Sequence, residues 1–452
     1  MQYPIWEVPK LGGGMVIAII ACVHVMVAHF AVGAGLFVAV TEYKAYAQNR
    51  PLLRRFLKDF SFFLVLVSFI FGALTGVGIW FSIALVSPAA TSALIHQFVW
   101  GWATEWVFFL VEILAGYVYY LTWDRMDPKK HMIVGWIYAF SAFMSLVIIN
   151  GILTFMLTPG DWLETRDFWD GFFNPTYWPS LLLRTLSALS LAAIFVTIAV
   201  HVAKNYTRDE RHEIIQEAGL WLVPLILMVP VSIWYFSQVP SAARDLVMGQ
   251  AIAMTLFLLF GLASSTLVGF YAYVGLILRK RYINLETATL LAMIAFLATG
   301  SMEFVREGIR KPYIIYDYMY SNSILVSDVD RLNHQGVLSW APWTAVALGE
   351  HPDVLPQSKR GEALFRAQCM QCHTLDGTNG IIPLIKGWPE NSLRHALENL
   401  HTEQYYMPPF VGPGKDMHDL TQYLLSLNQG QGDAMVPAAQ SPMQESEKEG
   451  GQ

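Results

Sequence analysis

Charge is what this sequence has least of. Asp, Glu, Lys and Arg together make 14% of its 452 residues, where a soluble chain carries about 25%. Apolar residues make 54% and the mean hydropathy is +0.41, so the deficit comes from long apolar runs, which place most of the chain in a bilayer. Cysteine is nearly absent. Of the three present, two share one pentapeptide, which excludes a disulfide framework; Cys22 lies in an apolar run and reads as an inert core residue. The formal net charge of −6 shows no basic excess of the kind nucleic-acid binding needs. A cleavable signal pattern is also missing: residues 1–10 are polar and aromatic, so the first apolar run reads as a retained membrane helix. There is no internal repeat.

What is present is a series of eight apolar runs of membrane-spanning length, at 15–40, 60–86, 98–123, 133–157, 181–202, 220–236, 248–278 and 286–304. The sixth is broken by Pro224 and Pro230. Basic residues then set the orientation. The first connection holds Lys44, Arg50, Arg54, Arg55 and Lys58, the third Arg125, Lys129 and Lys130, the fifth Lys204, Arg208 and Arg211, and the seventh Arg279, Lys280 and Arg281. The second, fourth and sixth hold only Arg166 and Arg244. Odd connections are therefore expected in the cytoplasm and both chain ends in the periplasm of a bacterial inner membrane. The predicted fold is all-α, a polytopic bundle of about eight transmembrane helices with a small periplasmic helical domain. The expected divisions are a bundle at 1–310, a periplasmic surface segment and linker at 311–356, a redox domain at 357–428, and a Gln/Ser/Glu/Gly-rich disordered tail at 429–452.

The pentapeptide is Cys369-Met370-Gln371-Cys372-His373. A bare C-x-x-C also serves as a redox disulfide or half of a zinc site. The histidine at the fifth position and the missing second C-x-x-C point instead to one covalent c-type haem, thioether-bonded at Cys369 and Cys372 with His373 on the iron. Met407 in Tyr406-Met407-Pro408-Pro409 offers the opposite axial ligand, and Met/His ligation raises the potential of a c haem. Residues 357–428 resemble a class I cytochrome c.

Ionisable groups inside a bilayer cost about 2.5–3.5 kcal/mol each on insertion scales, so each needs a reason. The first run carries His24 and His29, the third Glu105 and Glu112 two turns apart on one face, the fourth Asn150, the fifth Arg184, and the eighth Glu303 and Glu307. Paired acids on one face suit a proton path or iron ligation; internal ion pairs with Arg184 or Arg306 are the structural alternative. A lone buried histidine is more often a hydrogen-bonded packing residue. A covalent haem in the same chain favours iron ligation by at least one of the two.

The membrane part resembles the large subunit of cytochrome bd quinol oxidases over most of residues 15–320. The resemblance rests on His24, Gly33 and Glu42 in the first run, residues 72–76 (GALTG), and Glu112 followed by Trp123-Asp124-Arg125. It extends to His131-Met132, Asn150-Gly151, and Glu307-Gly308-Ile309-Arg310-Lys311-Pro312-Tyr313. It implies one or more b- or d-type haems in the membrane, with His24 and Glu307 as iron ligands, Arg310 on a haem propionate, and Glu112 and Glu105 on a proton path. It also implies a second integral-membrane subunit. The departures are specific. Arg184 stands where the family's low-spin haem has its histidine, and arginine cannot ligate iron. Thr104 stands where the family has the first acid of the third-helix pair, with Glu105 beside it. The quinol-oxidising loop shrinks to residues 238–247, and no ninth apolar run follows.

The expected function is thus a bd-like haem oxidoreductase fed through the periplasmic haem c by a cytochrome c or other redox enzyme and reducing dioxygen. One alternative is an electron-transfer subunit that relays to a membrane partner or quinone pool without oxygen chemistry. In that case a second axial ligand such as His29, His96, His201, Met254 or Met302 closes the iron. A non-redox module that tethers a cytochrome is a third.

Overall fold

The structure is a computed structural model that describes residues 2–428; the tail expected to be disordered lies outside the described residues. Among these, eight helices are long and apolar enough to cross a membrane. They are α1 (Gly13–Ala47), α2 (Pro51–Val86), α3 (Val99–Leu121), α4 (Pro128–Phe155), α5 (Tyr177–Val202), α6 (Arg208–Gln238), α7 (Ile252–Leu278) and α8 (Leu285–Gly308). Every expected span is found, but several run past the bilayer. Lys44 lies in α1, and Arg54, Arg55 and Lys58 lie in α2, so much of the basic first connection is helical overhang rather than loop. The α6 helix starts at a Thr207–Glu210 capping box and tightens to a 3₁₀ stretch at Leu220–Leu227 around Pro224, because proline removes one i→i−4 bond. At the start of α7 the chain breaks at Gly249, φ 126°, a conformation side chains other than glycine rarely adopt.

The centre of the bundle is α1, which packs on α2, α4, α5 and α8, while α3 pairs with α4 and α7 with α8. Gly33 lets α1 meet α5: a Cβ there would lie 1.9 Å from the Ala188 carbonyl oxygen. Beside it, Phe30, Phe37, Phe56 and Phe60 are fully buried and meet edge-on or stacked at 5.5–6.3 Å. With lipid tails outside, such packing and not water exclusion holds the helices together. The basic connections gather at one end and are tied there by ion pairs. Lys44 and Arg50 hold Glu217 at 2.9 and 2.6 Å, Arg55 holds Glu210 at 2.7 Å and Lys58 holds Asp124 at 2.5 Å.

The helical redox domain sits at the opposite end. Its principal helices are α9 (Gln357–Gln368), α10 (Glu390–Glu398) and α11 (Gly414–Asn428). The α9 and α11 helices cross at Gly361, where a Cβ would lie 2.2 Å from the Asp419 carbonyl oxygen. Its core, including Leu364, Phe365, Leu393, Leu420 and Leu424, is shared with Tyr320, Ile324, Leu332 and Val337 of the preceding segment. That segment opens with a two-stranded hairpin, β1 (Tyr313–Ile315) and β2 (Met319–Tyr320). Residues 2–10 run as a strap across the junction. The Gln2 amide donates to the Trp340 carbonyl at 2.8 Å, and the Trp343 indole donates to Gln2 at 3.1 Å. Glu7 pairs with Arg366, Lys10 pairs with Asp376, and the Trp6 amide donates to Leu85 of α2 at 2.9 Å.

Candidate haem sites

The pentapeptide follows α9 directly, with the Cys369 amide still bonded to the Phe365 carbonyl at 2.8 Å. The His373 ring is aimed by its own loop. Its Nδ1 lies 3.0 Å from the Asn379 carbonyl, and the Asn379 side chain donates to the Cys372 carbonyl at 2.8 Å. A carbonyl only accepts, so Nδ1 carries the proton and Nε2 keeps a lone pair, the arrangement an iron ligand needs. Burial holds His373 below the ordinary imidazole range, which keeps that lone pair available. Burial also pushes the Cys369 thiol up to about 12. In the downstream loop, the Met407 backbone carbonyl is gripped by His401 Nδ1 at 2.9 Å. Neither cysteine is in a disulfide, and the donor set fits a covalent haem with His and Met on its iron.

In the bundle, His24 Nδ1 lies 3.0 Å from Thr75 Oγ1, whose own hydrogen goes to the Phe71 carbonyl at 2.7 Å. Thr75 therefore accepts from Nδ1, and His24 Nε2 keeps its lone pair. His29 does the same through the Val25 carbonyl at 2.6 Å. Although five residues apart on one helix, both histidines feel Glu303 of α8. His131 and His201 differ. His131 uses both nitrogens, on Glu42 and on the Tyr119 carbonyl, while His201 Nε2 bonds the Ile283 carbonyl at 2.8 Å at the basic end of the bundle.

The acids of α8 are met by arginines. Arg306 grips Glu303 at 3.0 and 2.5 Å and reaches Glu307 at 2.9 Å; Arg310 takes the other Glu307 oxygen. Arg184 lies near the same group, with Arg306, Glu303 and Tyr235 around it. Arg310 is buried, with Nη1 against the Met156 sulfur at 2.6 Å and Nε unpaired. Arg310 thus keeps one unpaired buried N–H, with the charge of Arg306 acting on it, donor chemistry suited to an anionic oxygen. Glu105 accepts from Ser145 at 2.7 Å, and Glu112 is buried.

Residues 15–238 match the family model of cytochrome bd terminal oxidase subunit I, and residues 356–424 match that of cbb3-type cytochrome c oxidase subunit III. The chain joins a cytochrome bd subunit I domain to a cytochrome c domain. Among solved structures, the bd oxidase from Geobacillus thermodenitrificans is similar with TM-score 0.57 at 16% identity, covering 71% of this chain and 92% of that one, a likeness of fold. No curated protein matches the chain. The two domains make it a multi-pass membrane oxidoreductase of electron transport that uses haems, one of them c-type. His24, Arg184 and the α3 acids lie inside the matched bd residues, whereas Glu307 and Arg310 lie beyond them. Sequence reading missed the double pairing of Glu307. The i,i+3 and i,i+4 spacing of Glu303, Arg306, Glu307 and Arg310 was the available signal. It also missed the strap, which no local pattern announces.

Proposed function

We propose that the chain is the core subunit of a bd-like oxidase that takes electrons from a periplasmic redox protein at its cytochrome c domain, passes them into the bundle and reduces dioxygen there. The observation that carries this reading is a juxtaposition. The Ser321 amide donates to the Pro312 carbonyl at 2.7 Å and the Ser321 hydroxyl lies 4.0 Å from Cys372 Sγ, so the pentapeptide rests against the segment that leaves the bundle at Arg310. When bound, the haems supply the electron carriers and an iron with an open position. Cys369 and Cys372 anchor one covalently, with His373 and Met407 as its ligands. His24 and Glu307 ligate in the bundle, and Arg310 holds a propionate. Protons reach the site past Glu105 and Glu112. Arg184 and the short 238–247 loop support electron input through the cytochrome rather than through quinol. The basic end of the bundle faces the cytoplasm of a bacterial inner membrane, both ends of the chain face the periplasm, and a second integral-membrane subunit completes the complex.

One observation favours a relay without oxygen chemistry: both Glu307 oxygens are held by guanidiniums, and His29 offers a second lone pair beside His24. Carbon monoxide separates the two. In the reduced, purified protein the oxidase reading expects a CO-shifted high-spin band that His24→Ala removes, and oxygen consumption with a reduced soluble cytochrome. A c-haem spectrum without any CO-sensitive band sinks it.

A further inference from the structure

The seam between α3 and α4 carries polar groups in an antiparallel register. On α3, Glu105, Glu112 and Tyr119 recur every seven residues; on α4, so do His131, Tyr138 and Ser145. Seven residues are two helical turns less about 20°, so each set lies on one face, rising about 10 Å per step. The sets meet rung by rung. Ser145 donates to Glu105 at 2.7 Å and His131 Nε2 bonds the Tyr119 carbonyl at 2.9 Å; at the middle rung Glu112 and Tyr138 are both buried, and the Tyr138 hydroxyl donates to the Ala31 carbonyl of α1 at 3.1 Å. The last rung lies at the end of the bundle that carries the basic connections, and there α1 contributes Glu42, fully buried, with Oε1 2.8 Å from His131 Nδ1.

The chemistry of that last rung is fixed by its bonds. The Tyr119 carbonyl can only accept, so His131 Nε2 always carries a proton. The bond between Nδ1 and Oε1 then contains one further proton, held either by the imidazole, giving imidazolium and carboxylate, or by the carboxyl, giving two neutral groups. Either way the pair is neutral overall. Losing that proton leaves one negative charge, and regaining it restores neutrality. Around the pair are buried atoms the protein leaves unpaired: Glu42 Oε2, the Tyr119 hydroxyl, Thr41 Oγ1 and the Trp123 indole N–H. The imidazole is flanked by the Tyr119 and Trp123 rings, each 4.4 Å away. Tyr46 of α1 is a further ionisable group whose charge acts on Tyr119; Lys58 and Asp124, paired at 2.5 Å, lie near the same end of α3. Above it, Ser68 Oγ is a further unpaired buried atom on the way to Tyr138 and Glu112.

We propose that Glu42 and His131 form a proton-holding pair at the cytochrome-distal end of the α3–α4 polar seam. The pair takes up one proton from the basic end of the bundle and releases it beside Tyr119 into the seam that leads toward Glu112. Each transfer is a proton moving from one oxygen or nitrogen to the next, with no electron moved and no bond broken other than that to hydrogen. This inference rests on the oxidase reading for its purpose, not for its chemistry.

The test uses full-length protein with Glu42→Gln and Tyr119→Phe. Infrared difference spectra between H₂O and D₂O buffer should show, in the wild type, a hydrogen-bonded carboxyl and an imidazole component that are both lost in Glu42→Gln. Components that survive the substitution overturn the pair. With a reduced soluble cytochrome as donor, Glu42→Gln should lower oxygen turnover at least tenfold and Tyr119→Phe two- to fivefold. The CO band and the rate of haem c reduction should stay as in the wild type. Wild-type turnover in Glu42→Gln overturns the relay. A wild type that consumes no oxygen instead overturns the oxidase reading, and the infrared result then decides the pair alone.

Discussion

At Cys369 the fold has made a thiol that stays protonated. Burial and the neighbouring Cys372 push it up to about 12, and only the thiolate is nucleophilic. In chain produced without haem attachment, alkylation of Cys369 at pH 8 should run more than about tenfold slower than that of an unperturbed cysteine (pKa about 8.5). Site-resolved mass spectrometry measures it, and equal rates contradict the burial described. Met407 gives a cleaner prediction, because His401 holds its carbonyl and not its side chain. Met407→Ala should leave the loop in place, lower the haem c potential and slow its reduction by a soluble donor, read by redox titration and stopped-flow absorbance. The cytochrome c domain was legible in the sequence because its motif is local, five adjacent residues. The surroundings of Glu307 were legible only in part: Arg306 is its neighbour on α8 and Arg310 follows three residues on, but how far Arg310 reaches into the bundle, to Met156, depends on how α8 turns into β1.

Among the elements, the helices were legible in number and order, since a bilayer demands runs of fixed length. Their ends were not, because Lys44, Arg54, Arg55 and Lys58 extend helix into water and find acids on other helices that no local pattern reveals. Glu217 is 7% exposed and takes two cations; Glu217→Ala should cost about 1.5–3 kcal/mol, measured as lost thermal stability of the detergent-solubilised protein. The α9–α11 crossing offers a second measure. With the Asp419 backbone where a methyl group would go, Gly361→Ala should destabilise the cytochrome domain by about 1–3 kcal/mol. The expected readout is a lower midpoint for loss of the methionine-ligated haem c absorbance on heating. The segment after α8 was expected on the outer membrane surface. It contributes Tyr320, Ile324, Leu332 and Val337 to the cytochrome core, a role hidden in the sequence because its apolar residues follow no single period.

For the whole molecule, the clustering of the basic connections at the end opposite the cytochrome domain makes a directional prediction. An Asn391→Cys label on that domain should react with a membrane-impermeant maleimide in intact spheroplasts. Asn205→Cys, between α5 and α6, should react only after the membrane is opened. The reverse pattern would invert the assigned topology, and with it the side from which electrons arrive. Composition and the charge of loops were sufficient to separate the two ends. The packing of the pentapeptide against the segment after α8 was not legible, since Ser321 and Cys372 are 51 positions apart in the sequence.

The strap of residues 2–10 has a consequence for biogenesis. Its partners Trp340, Trp343, Arg366 and Asp376 are synthesised only after all eight membrane helices, so the first residues made are among the last to find their places. Until then Gln2, Glu7 and Lys10 have nothing to bind, and the cysteines of the pentapeptide, which lie next to those partners, are reached before the junction closes over them. Closure of the strap therefore waits until the cytochrome domain has been made and docked. A chain cut after α8 should insert its helices yet leave residues 2–10 open to protease, whereas in the full chain their protection dates the end of maturation.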